Sequence, residues 1–403
     1  MHVLTYCRYW QRLLGSLFFS KQKIYYVWVA FLFTLASIGV LTYIYQFQHG
    51  LIVTNLSNQV SWGAYIANFT FLVGVAAAAV LLVFPTYVLD NKDTHEVVLI
   101  GEILASSAII MCLLFVVVDL GHPERFLHLM PGFGKLNLGH SVLAWDVVVL
   151  NGYLLLNLHV PGYLLYKKYL GEKPNPWIYR PFVFLSIVWA VSVHTVTAFL
   201  YSGLGGRPFW NTAVLAPRFL VSAFAGGPAL LIIVFTVIRK FTDQNVPEGV
   251  FDLLKKIVMV FLPLNMFLLM CEVFTEFYTN SLHVESAKYL FFGLHGHRML
   301  VPYIWSSISM SVCAFVIFYW PRMRNTTPIL LMGCVLAIVG IWIEKGMGLI
   351  IPGFIPTPLG DLVEYTPSPV EILICLGIWS IGALLFTLYA KMAIAVETGR
   401  IRK

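Results

Sequence analysis

The chain has 403 residues, of which 59% are hydrophobic and only 11% are charged. Soluble domains carry about 25% charged residues, so these charges are too few to cover a soluble fold of this size. The mean hydropathy of +0.82 indicates a polytopic membrane protein. The apolar runs are long and continuous, which excludes a β-barrel, and basic cytoplasmic loops explain the net charge of +7 better than nucleic-acid binding does.

Ten apolar segments are long enough to span a bilayer, which takes about 20 residues per helix. The first follows a basic N-terminal segment and is too long for a signal-peptide core, so we interpret it as a retained span. The predicted spans are 25–47, 61–88, 97–119, 141–165, 178–202, 213–238, 254–278, 301–320, 327–350 and 369–394. The sequence therefore predicts an all-α integral membrane protein, with residues 1–403 in one domain.

The distribution of basic residues predicts the orientation of the spans. With the N-terminus inside, nineteen of the 26 Lys and Arg residues fall in inner segments and six in outer segments. This asymmetry agrees with the positive-inside rule. Because the number of spans is even, both termini are expected on the cytoplasmic side.

Ionisable side chains within membrane helices are costly and mark functional sites by default. Most of those in this chain fall in the outer part of the predicted spans. The polar residues predicted near the outer face are Asn68, Asp146, His194, Arg218, Glu272, Glu276 and Glu344. Glu102 lies in the inner half instead, which makes it a candidate for a cytoplasmic proton path. Glu276 is a second candidate for proton transfer, at the outer face.

Two pairs of these residues have alternative interpretations. Glu272 and Glu276 are four residues apart and share a helix face, so they form either a proton site or structural ion pairs with Arg218 or Arg298. Glu344 and Lys345 are adjacent, so each is expected to find a partner on another helix rather than to face the other.

The outer loops add titratable groups to this face. Seven of the eleven histidines fall there: His49, His122, His128, His140, His283, His295 and His297. The chain has no CxxC or CxxCH motif, and His194 has no second histidine at its depth, so we predict neither haem nor an iron–sulfur cluster. His295 and His297 lack a convincing third ligand, and no metal site is predicted.

Two further features have structural and functional interpretations. Gly226, Gly227 and Pro228 are expected to bend or break the sixth span. Trp62 and Tyr65 stand at the entrance of the second span, where aromatic side chains form an interface belt or line a pocket for a quinone head group.

Several motifs resemble those of the NrfD/polysulfide-reductase membrane-subunit family. The segment 119–126 (DLGHPERF) resembles the loop after an early span of that family. The other similar segments are 62–65 (WGAY), 71–74 (FLVG), 141–146 (SVLAWD), 151–153 (NGY), 194–200 (HTVTAFL), 207–213 (RPFWNTA) and 216–219 (APRF). The resemblance covers spans two to ten and is greatest for the ten-span branch, with DsrP/HmeB-type subunits ahead of HybB-type hydrogenase subunits.

The resemblance implies two four-helix bundles with flanking helices and a menaquinone bound near the outer face. It implies no haem or iron–sulfur cluster within this chain. The implied partners are an outer ferredoxin-like iron–sulfur subunit, a multihaem cytochrome c, a haem b membrane subunit and a heterodisulfide-reductase-like cytoplasmic subunit. The implied setting is sulfur metabolism in a prokaryotic cytoplasmic membrane.

These observations lead to one functional prediction. We expect a menaquinone/menaquinol-interacting subunit of a respiratory redox complex, with His194 and Asp146 as the head-group and proton-transfer pair. Asn68, Tyr65, Trp62 and His122 line the predicted pocket, and Arg218 and Glu272 tune its charge. A proton-coupled secondary transporter and a passive membrane anchor for redox partners are the alternatives.

Overall fold

The computed structural model describes residues 2–20, 22–129, 132–280 and 284–403. Within these ranges the α-helices are α1 His2–Phe18, α2 Lys23–His49, α3 Ala64–Ala77, α4 Val80–Tyr87, α5 Lys92–His95, α6 Val98–Asp119, α7 Val142–Leu170, α8 Pro176–Ser202, α9 Leu215–Phe241, α10 Glu248–Thr279, α11 Val284–Phe291, α12 Val301–Tyr319, α13 Pro321–Arg324, α14 Thr327–Lys345, α15 Met347–Ile350 and α16 Pro369–Glu397. The 3₁₀ helices are Leu51–Val53, Pro123–Leu129, Pro208–Trp210 and Pro352–Phe354. The same ranges contain no β-strand, only an isolated bridge between Leu294 and His297.

The ten predicted membrane spans are confirmed. The described residues include ten helical segments that are long and apolar enough to span a bilayer, each at the position expected from hydropathy. They are α2, α3 with α4, α6, α7, α8, α9, α10, α12, α14 with α15, and α16. The protein is therefore a multi-pass, all-α membrane protein.

The spans pack as two four-helix groups with one flanking pair. Bundle one contains α3 with α4, α6, α7 and α8, and bundle two contains α9, α10, α12 and α14. The two bundles meet where α9 packs against α3 and α8, while α14 also contacts α3. The remaining spans, α2 and α16, pack along each other, and α16 joins this pair to α6 of bundle one.

The sixth span, which was expected to bend or break, is not broken, and the second span is interrupted instead. Helix α9 continues without interruption through Gly226, Gly227 and Pro228, whereas the second span is divided between Ala77 and Val80. A Cβ atom added to Gly227 would lie 2.2 Å from the Cβ of Ala78. The glycine pair therefore lets α9 approach the divided span closely, which is a packing role.

The start of α16 is fixed by its local sequence. Ser368 and Glu371 form a capping box, and Pro369 occupies the first turn. The buried Glu371 carboxylate also accepts hydrogen bonds from the Tyr365 hydroxyl and, at 2.9 Å, from the backbone N–H of Asn55. Glu371 therefore caps α16 and joins two loops to it.

The two ends of the chain meet at one face of the molecule. Tyr9 and Leu13 of α1 pack against Tyr169 near the end of α7 and against Ile401. The Arg12 guanidinium donates to the backbone carbonyl of Arg402. Both termini therefore lie on the same side, as an even number of spans requires.

Alkaline conditions are expected to release α1 from this position. Burial, followed by the nearby tyrosines, raises the pKa of Tyr9 to about 12 from an ordinary value of about 10. Because the pKa of Tyr9 is raised in the folded state, its buried neutral side chain stabilises the packing of α1 fully below pH 10. This stabilisation is lost as the pH rises through 12. A spin label on the exposed Cys7 will report this release, with the exposed Cys313 replaced by serine so that it is not labelled. We expect electron paramagnetic resonance to show that the mobility of the label rises between pH 10 and 12. A Tyr9→Phe variant should lack this transition, and an unchanged transition would show that another group controls docking.

Candidate functional site

A group of buried charges joins three helices of bundle two. The Arg218 side chain forms ion pairs with Glu272 and, at 3.1 Å, with Glu344. Glu344 also accepts hydrogen bonds from Lys345 at 2.6 Å and from Asn265 at 2.8 Å. We call these five residues the ion network. Arg218, Glu344 and Lys345 are at most 4% exposed, so the network stands in a medium where charge pairing is strong.

The contact between Glu344 and Lys345 corrects the sequence prediction. Neighbouring residues on a helix point in different directions, which led us to expect separate partners. Lys345 is the last residue of α14, and Gly346 ends the helix after it. The long lysine side chain can therefore bend back to Glu344. The expected inter-helix partners of Glu344 are also present, on α9 and α10.

A large apolar cavity opens beside the ion network. It has a volume of about 640 Å³ and lies between α10 and α12, with α11 at one end. Aromatic and methionine side chains form most of its wall: Met266, Met270, Phe274, Phe277, Tyr278 and Trp305. Glu344 lies in the wall as well, with the hydroxyl groups of Ser307 and Ser311. We call this space the aromatic cavity.

The aromatic cavity combines the features of a site for an amphipathic small molecule. Its volume falls within the range of about 300–1,000 Å³ typical of ligand sites. Several wall residues, including Phe274 and Tyr278, are exposed, so the cavity opens on the outside of bundle two. A flat polar head group and an apolar tail would thus find the chemical environments that each requires.

A smaller cavity of about 20 Å³ borders the ion network from another side. Glu272, Glu276, Glu344 and Arg218 all line it. This volume is enough for one water molecule, which needs about 10–15 Å³. The space therefore admits one water between carboxylates of α10 and α14. Of the two interpretations of Glu272, the ion pair with Arg218 is the one that the structure shows.

Asp146 and His194 are both buried in bundle one. Each is only 1% exposed. The Thr197 hydroxyl donates to Asp146 Oδ1 at 2.8 Å, and Thr197 follows His194 by three residues on the same face of α8. Among the described residues, Asp146 Oδ2 and His194 Nε2 have no hydrogen-bond partner. His194 borders a cavity of only about 10 Å³, and the role of the two residues as a head-group and proton-transfer pair stays a prediction.

Asn68 and Tyr65 are already engaged in hydrogen bonds within the protein. Asn68 Oδ1 accepts from the indole N–H groups of Trp342 at 3.0 Å and Trp379 at 2.9 Å. Its amide group donates to the Ala64 carbonyl at 2.8 Å. The Tyr65 hydroxyl donates to Gln46 at 2.6 Å. Both side chains thus join α3 to neighbouring spans, which is a structural role.

Trp62 belongs to an aromatic cluster at the same end of the molecule. Its ring stacks on Trp210 with a centroid separation of 5.7 Å and meets Tyr201 and Phe354 edge-on. Arg207 lies over the Phe354 ring, 4.5 Å from its centroid. A Cβ atom on Gly353 would lie 2.0 Å from the Trp210 ring, so this cluster is closely packed.

His122 and Glu102 lie away from these buried groups. His122 is exposed in the loop after α6 and pairs with Glu124 at 2.9 Å. A backbone hydrogen bond, and then the bond from His122, hold the pKa of Glu124 below its ordinary value. Glu102 is buried near the start of α6, at the opposite face, and its Oε2 atom has no hydrogen-bond partner among the described residues.

Sequence reasoning missed three groups of residues at the site. Asn265 precedes Glu272 by seven residues, two turns of α10, so the common helix face could have revealed it. Ser307 and Ser311 are four residues apart on α12, so they too share one helix face. The aromatic wall gave no such signal, because aromatic residues are ordinary in apolar spans.

Among the described residues, no three His, Cys, Asp or Glu side chains converge as a metal site. His297 lies 3.3 Å from the Glu364 carboxylate, which is an ordinary ion-pair contact. His283 and Lys21 lie outside the described residues.

These features define a polytopic membrane protein with a ligand-sized apolar cavity beside buried charges at one face. Residues 52–356 match the family described as polysulphide reductase, NrfD. The match covers most of the chain, so the protein belongs to the NrfD family, and the resemblance expected from the sequence motifs is confirmed.

Similar proteins from three organisms cover nearly the whole chain. A putative dimethyl sulfoxide reductase membrane subunit from Halobacterium salinarum is 25% identical, over 89% of this chain and 88% of its own. A selenate reductase subunit from Mesobacillus selenatarsenatis is 24% identical, over 92% of this chain and 94% of its own. An Hdr-like menaquinol oxidoreductase integral membrane subunit from Archaeoglobus fulgidus is 24% identical, over 91% of this chain and 93% of its own.

Proposed function

We propose that this chain is the menaquinone/menaquinol-interacting membrane subunit of a respiratory redox complex in sulfur metabolism. The observation that supports this proposal most is the aromatic cavity, which ends at the charged Glu344. The relatives named as reductase or menaquinol oxidoreductase membrane subunits support the same class of function. Their named substrates differ, so the link to sulfur metabolism depends on the DsrP/HmeB-type resemblance.

The residues of the aromatic cavity fit a quinone in shape and polarity. A quinone head is flat and uncharged, and its two carbonyl oxygens accept hydrogen bonds, while its isoprenoid tail is apolar. Ser311 lines the cavity, and its hydroxyl makes no hydrogen bond among the described residues, so it is available to the head group. The apolar wall suits the ring faces and the tail, which would leave through the open side.

The ion network supplies proton acceptors beside this position. In the quinol form the ligand would provide two electrons to an outer iron–sulfur subunit and release two protons. Glu344 lines the cavity and also borders the small cavity that Glu272 and Glu276 share. A proton accepted at Glu344 can therefore move to α10 through one water. Arg218 and Lys345 hold these carboxylates in place.

The remaining assignments are proposals from the family resemblance. The complex would contain a ferredoxin-like iron–sulfur subunit, a multihaem cytochrome c, a haem b membrane subunit and a heterodisulfide-reductase-like cytoplasmic subunit. It would lie in a prokaryotic cytoplasmic membrane with both termini inside. Glu102 stays the candidate for a proton path from the inner side. The transporter alternative is disfavoured because the charged groups lie near one face rather than at the midplane.

A binding titration tests the location of the quinone site. We expect a fluorescent hydroxyquinoline quinone analogue to bind the wild-type chain saturably. Met270 is 60% exposed at the cavity, so a Met270→Trp variant fills the space without disturbing the core. Its affinity should fall at least about tenfold, which corresponds to about 1.4 kcal/mol.

The matched control for this variant is Met332→Trp. Met332 is 52% exposed on α14 and does not line the aromatic cavity, so the added ring should leave the affinity unchanged. Equal affinities for all three proteins would remove the aromatic cavity from the proposal. An absence of saturable binding to well-folded wild-type protein would favour the anchor or transporter function.

Bundle one provides a second candidate location for the head group. Its support is the pair of buried atoms, Asp146 Oδ2 and His194 Nε2, that have no partner among the described residues. Of the six residues predicted to form the pocket, His194 and Asp146 remain in this proposal. Asn68 and Tyr65 are engaged in hydrogen bonds within the protein, Trp62 stacks on Trp210, and His122 is exposed. A His194→Ala variant separates the two locations. Weakened analogue binding in this variant would favour bundle one, and unchanged binding would favour the aromatic cavity.

A further inference from the structure

A cavity of about 10 Å³ lies where the two bundles meet. Its wall contains Thr70 and Gly74 of α3, His194 of α8, Gly226 of α9 and Lys345 of α14. A volume of this size holds one water molecule, provided that the water has two to four polar partners. We call this space the interbundle cavity. It is separate from the aromatic cavity, but Lys345 connects it to the ion network.

His194 offers a hydrogen-bond acceptor to the interbundle cavity. Its Nδ1 atom lies 3.1 Å from the backbone carbonyl of Ala190, which can only accept, so Nδ1 carries the proton. In a neutral imidazole the other nitrogen, Nε2, is then an acceptor. Nε2 is buried and has no hydrogen-bond partner among the described residues. A buried acceptor in this state destabilises the fold unless a water satisfies it.

Lys345 offers the complementary donor. Its ammonium group has three protons, and the described residues provide one hydrogen-bond acceptor for it, Glu344 Oε1. The side chain is 3% exposed, so bulk water cannot satisfy the other protons. The Ser222 hydroxyl also lines the cavity and donates to the Phe219 carbonyl at 2.9 Å, which leaves its oxygen as a further acceptor.

We propose that the interbundle cavity holds one water that bridges Lys345 Nζ and His194 Nε2 and passes protons between the bundles. In this step Lys345 gives a proton to the water while the water gives one to His194 Nε2. The lysine becomes a neutral amine, the histidine becomes an imidazolium, and the water is regenerated. A proton released by quinol at Glu344 then restores the lysine. No electron moves in this step, and the total charge is unchanged.

We call the proton transfer from Lys345 through the water to His194 the relay. The relay depends on the proposed quinone function, whereas the presence of the water does not. The two parts therefore have separate measurements. Density from cryo-electron microscopy of the complex, at a resolution that shows ordered waters, tests the water. Redox-induced infrared difference spectroscopy of the same complex, with ¹⁵N-labelled histidine, tests whether an imidazole gains a proton on quinol oxidation.

Gly226→Ala displaces the water without altering a titratable group. The added Cβ would lie 3.5 Å from Ile341, which is ordinary contact, so the variant should fold. We expect the water density and the ¹⁵N-sensitive histidine band to disappear, while the affinity for the quinone analogue stays within about twofold of wild type. His194→Phe should lose the same band. Gly162→Ala, whose Cβ meets nothing within 4 Å, is the control that keeps both signals.

Each outcome has a definite meaning for the proposal. An interbundle cavity without water density in the wild-type complex would overturn the bridge. A histidine band that persists in Gly226→Ala would overturn the relay. The relay would also be overturned if the wild-type complex binds the analogue but shows no histidine band. Failure of the wild-type chain to bind any quinone analogue would refute the proposed function and the relay. The density would still decide whether the bridging water exists.

Discussion

Replacement of Arg218 by methionine is expected to destabilise the protein by about 3–5 kcal/mol. The change leaves Glu272 and Glu344 buried without the cation that pairs with both. Lys345 and Asn265 still contact Glu344, but within the described residues neither of them bonds to Glu272. The free-energy cost of an unpaired buried carboxylate is much larger than the net stabilisation that the ion pair provided. Thermal or denaturant unfolding in nanodiscs will measure the loss.

A matched arginine on the same helix provides the control. Arg239 pairs with Glu248 at 2.7 Å, but both side chains are more than half exposed. Exposed ion pairs contribute about 0–1 kcal/mol, so Arg239→Met should have a small effect. The double variant Arg218→Met/Glu272→Gln should recover part of the lost stability, because it removes one of the two stranded charges. Equal effects of Arg218→Met and Arg239→Met would show that the ion network does not stabilise bundle two.

The membrane spans and the polar face were predictable because their signals are local. Hydropathy over about 20 residues located all ten spans. The depth of each polar residue followed from its distance along a helix, since each residue adds 1.5 Å. The position of Arg218 at the start of α9, and of Glu272 near the end of α10, therefore placed both at one face.

The partners of these residues were less predictable, because they depend on how the helices pack. Counting along α14 could not show that Lys345 reaches back to Glu344, since the contact depends on where the helix ends. Asn68 illustrates the same limit. Its depth suggested a pocket residue, yet two tryptophans from distant spans occupy its carbonyl oxygen. Helix rotation and inter-helix distance decide such contacts.

The aromatic cavity had no signature in the sequence. Its wall consists of residues such as Phe277 and Met266, which are common in any apolar span. A cavity forms where side chains of neighbouring helices do not fill the space between them. The distance between two helices cannot be derived from a single sequence. The charged end of the cavity could be anticipated, whereas the space beside it could not.

The contact between α2 and α16 leads to the second large effect. Gly39 and Gly377 face each other so closely that a Cβ atom on Gly39 would lie 2.4 Å from the Cα atom of Gly377. The conflicting atoms belong to the backbone, so neither can rotate away. Close glycine contacts of this kind let membrane helices pack, because there is little hydrophobic driving force within the bilayer.

Gly39→Val is therefore expected to separate α2 from α16 and to cost about 3 kcal/mol, at the upper end of typical overpacking effects. The hydrogen bond from Trp28 to Thr387, 3.2 Å long, connects the same helices and should be lost. Cysteines at these two positions will measure the separation by crosslinking. Gly162→Val, on α7, controls for valine in a helix, because its Cβ meets nothing within 4 Å.

The position of α2 outside both bundles makes this prediction specific. Beyond its pairing with α16, α2 reaches bundle one through Gln46, which contacts Tyr65 and the Val118 carbonyl. Bundle two lacks such a contact within the described part of the chain, so the aromatic cavity should survive the displacement of α2. Gly39→Val should thus lose crosslinking and stability while quinone-analogue affinity stays within about twofold of wild type. Retained crosslinking would show that the two helices can accommodate a side chain at their contact, and lost affinity would show that the flanking pair supports bundle two.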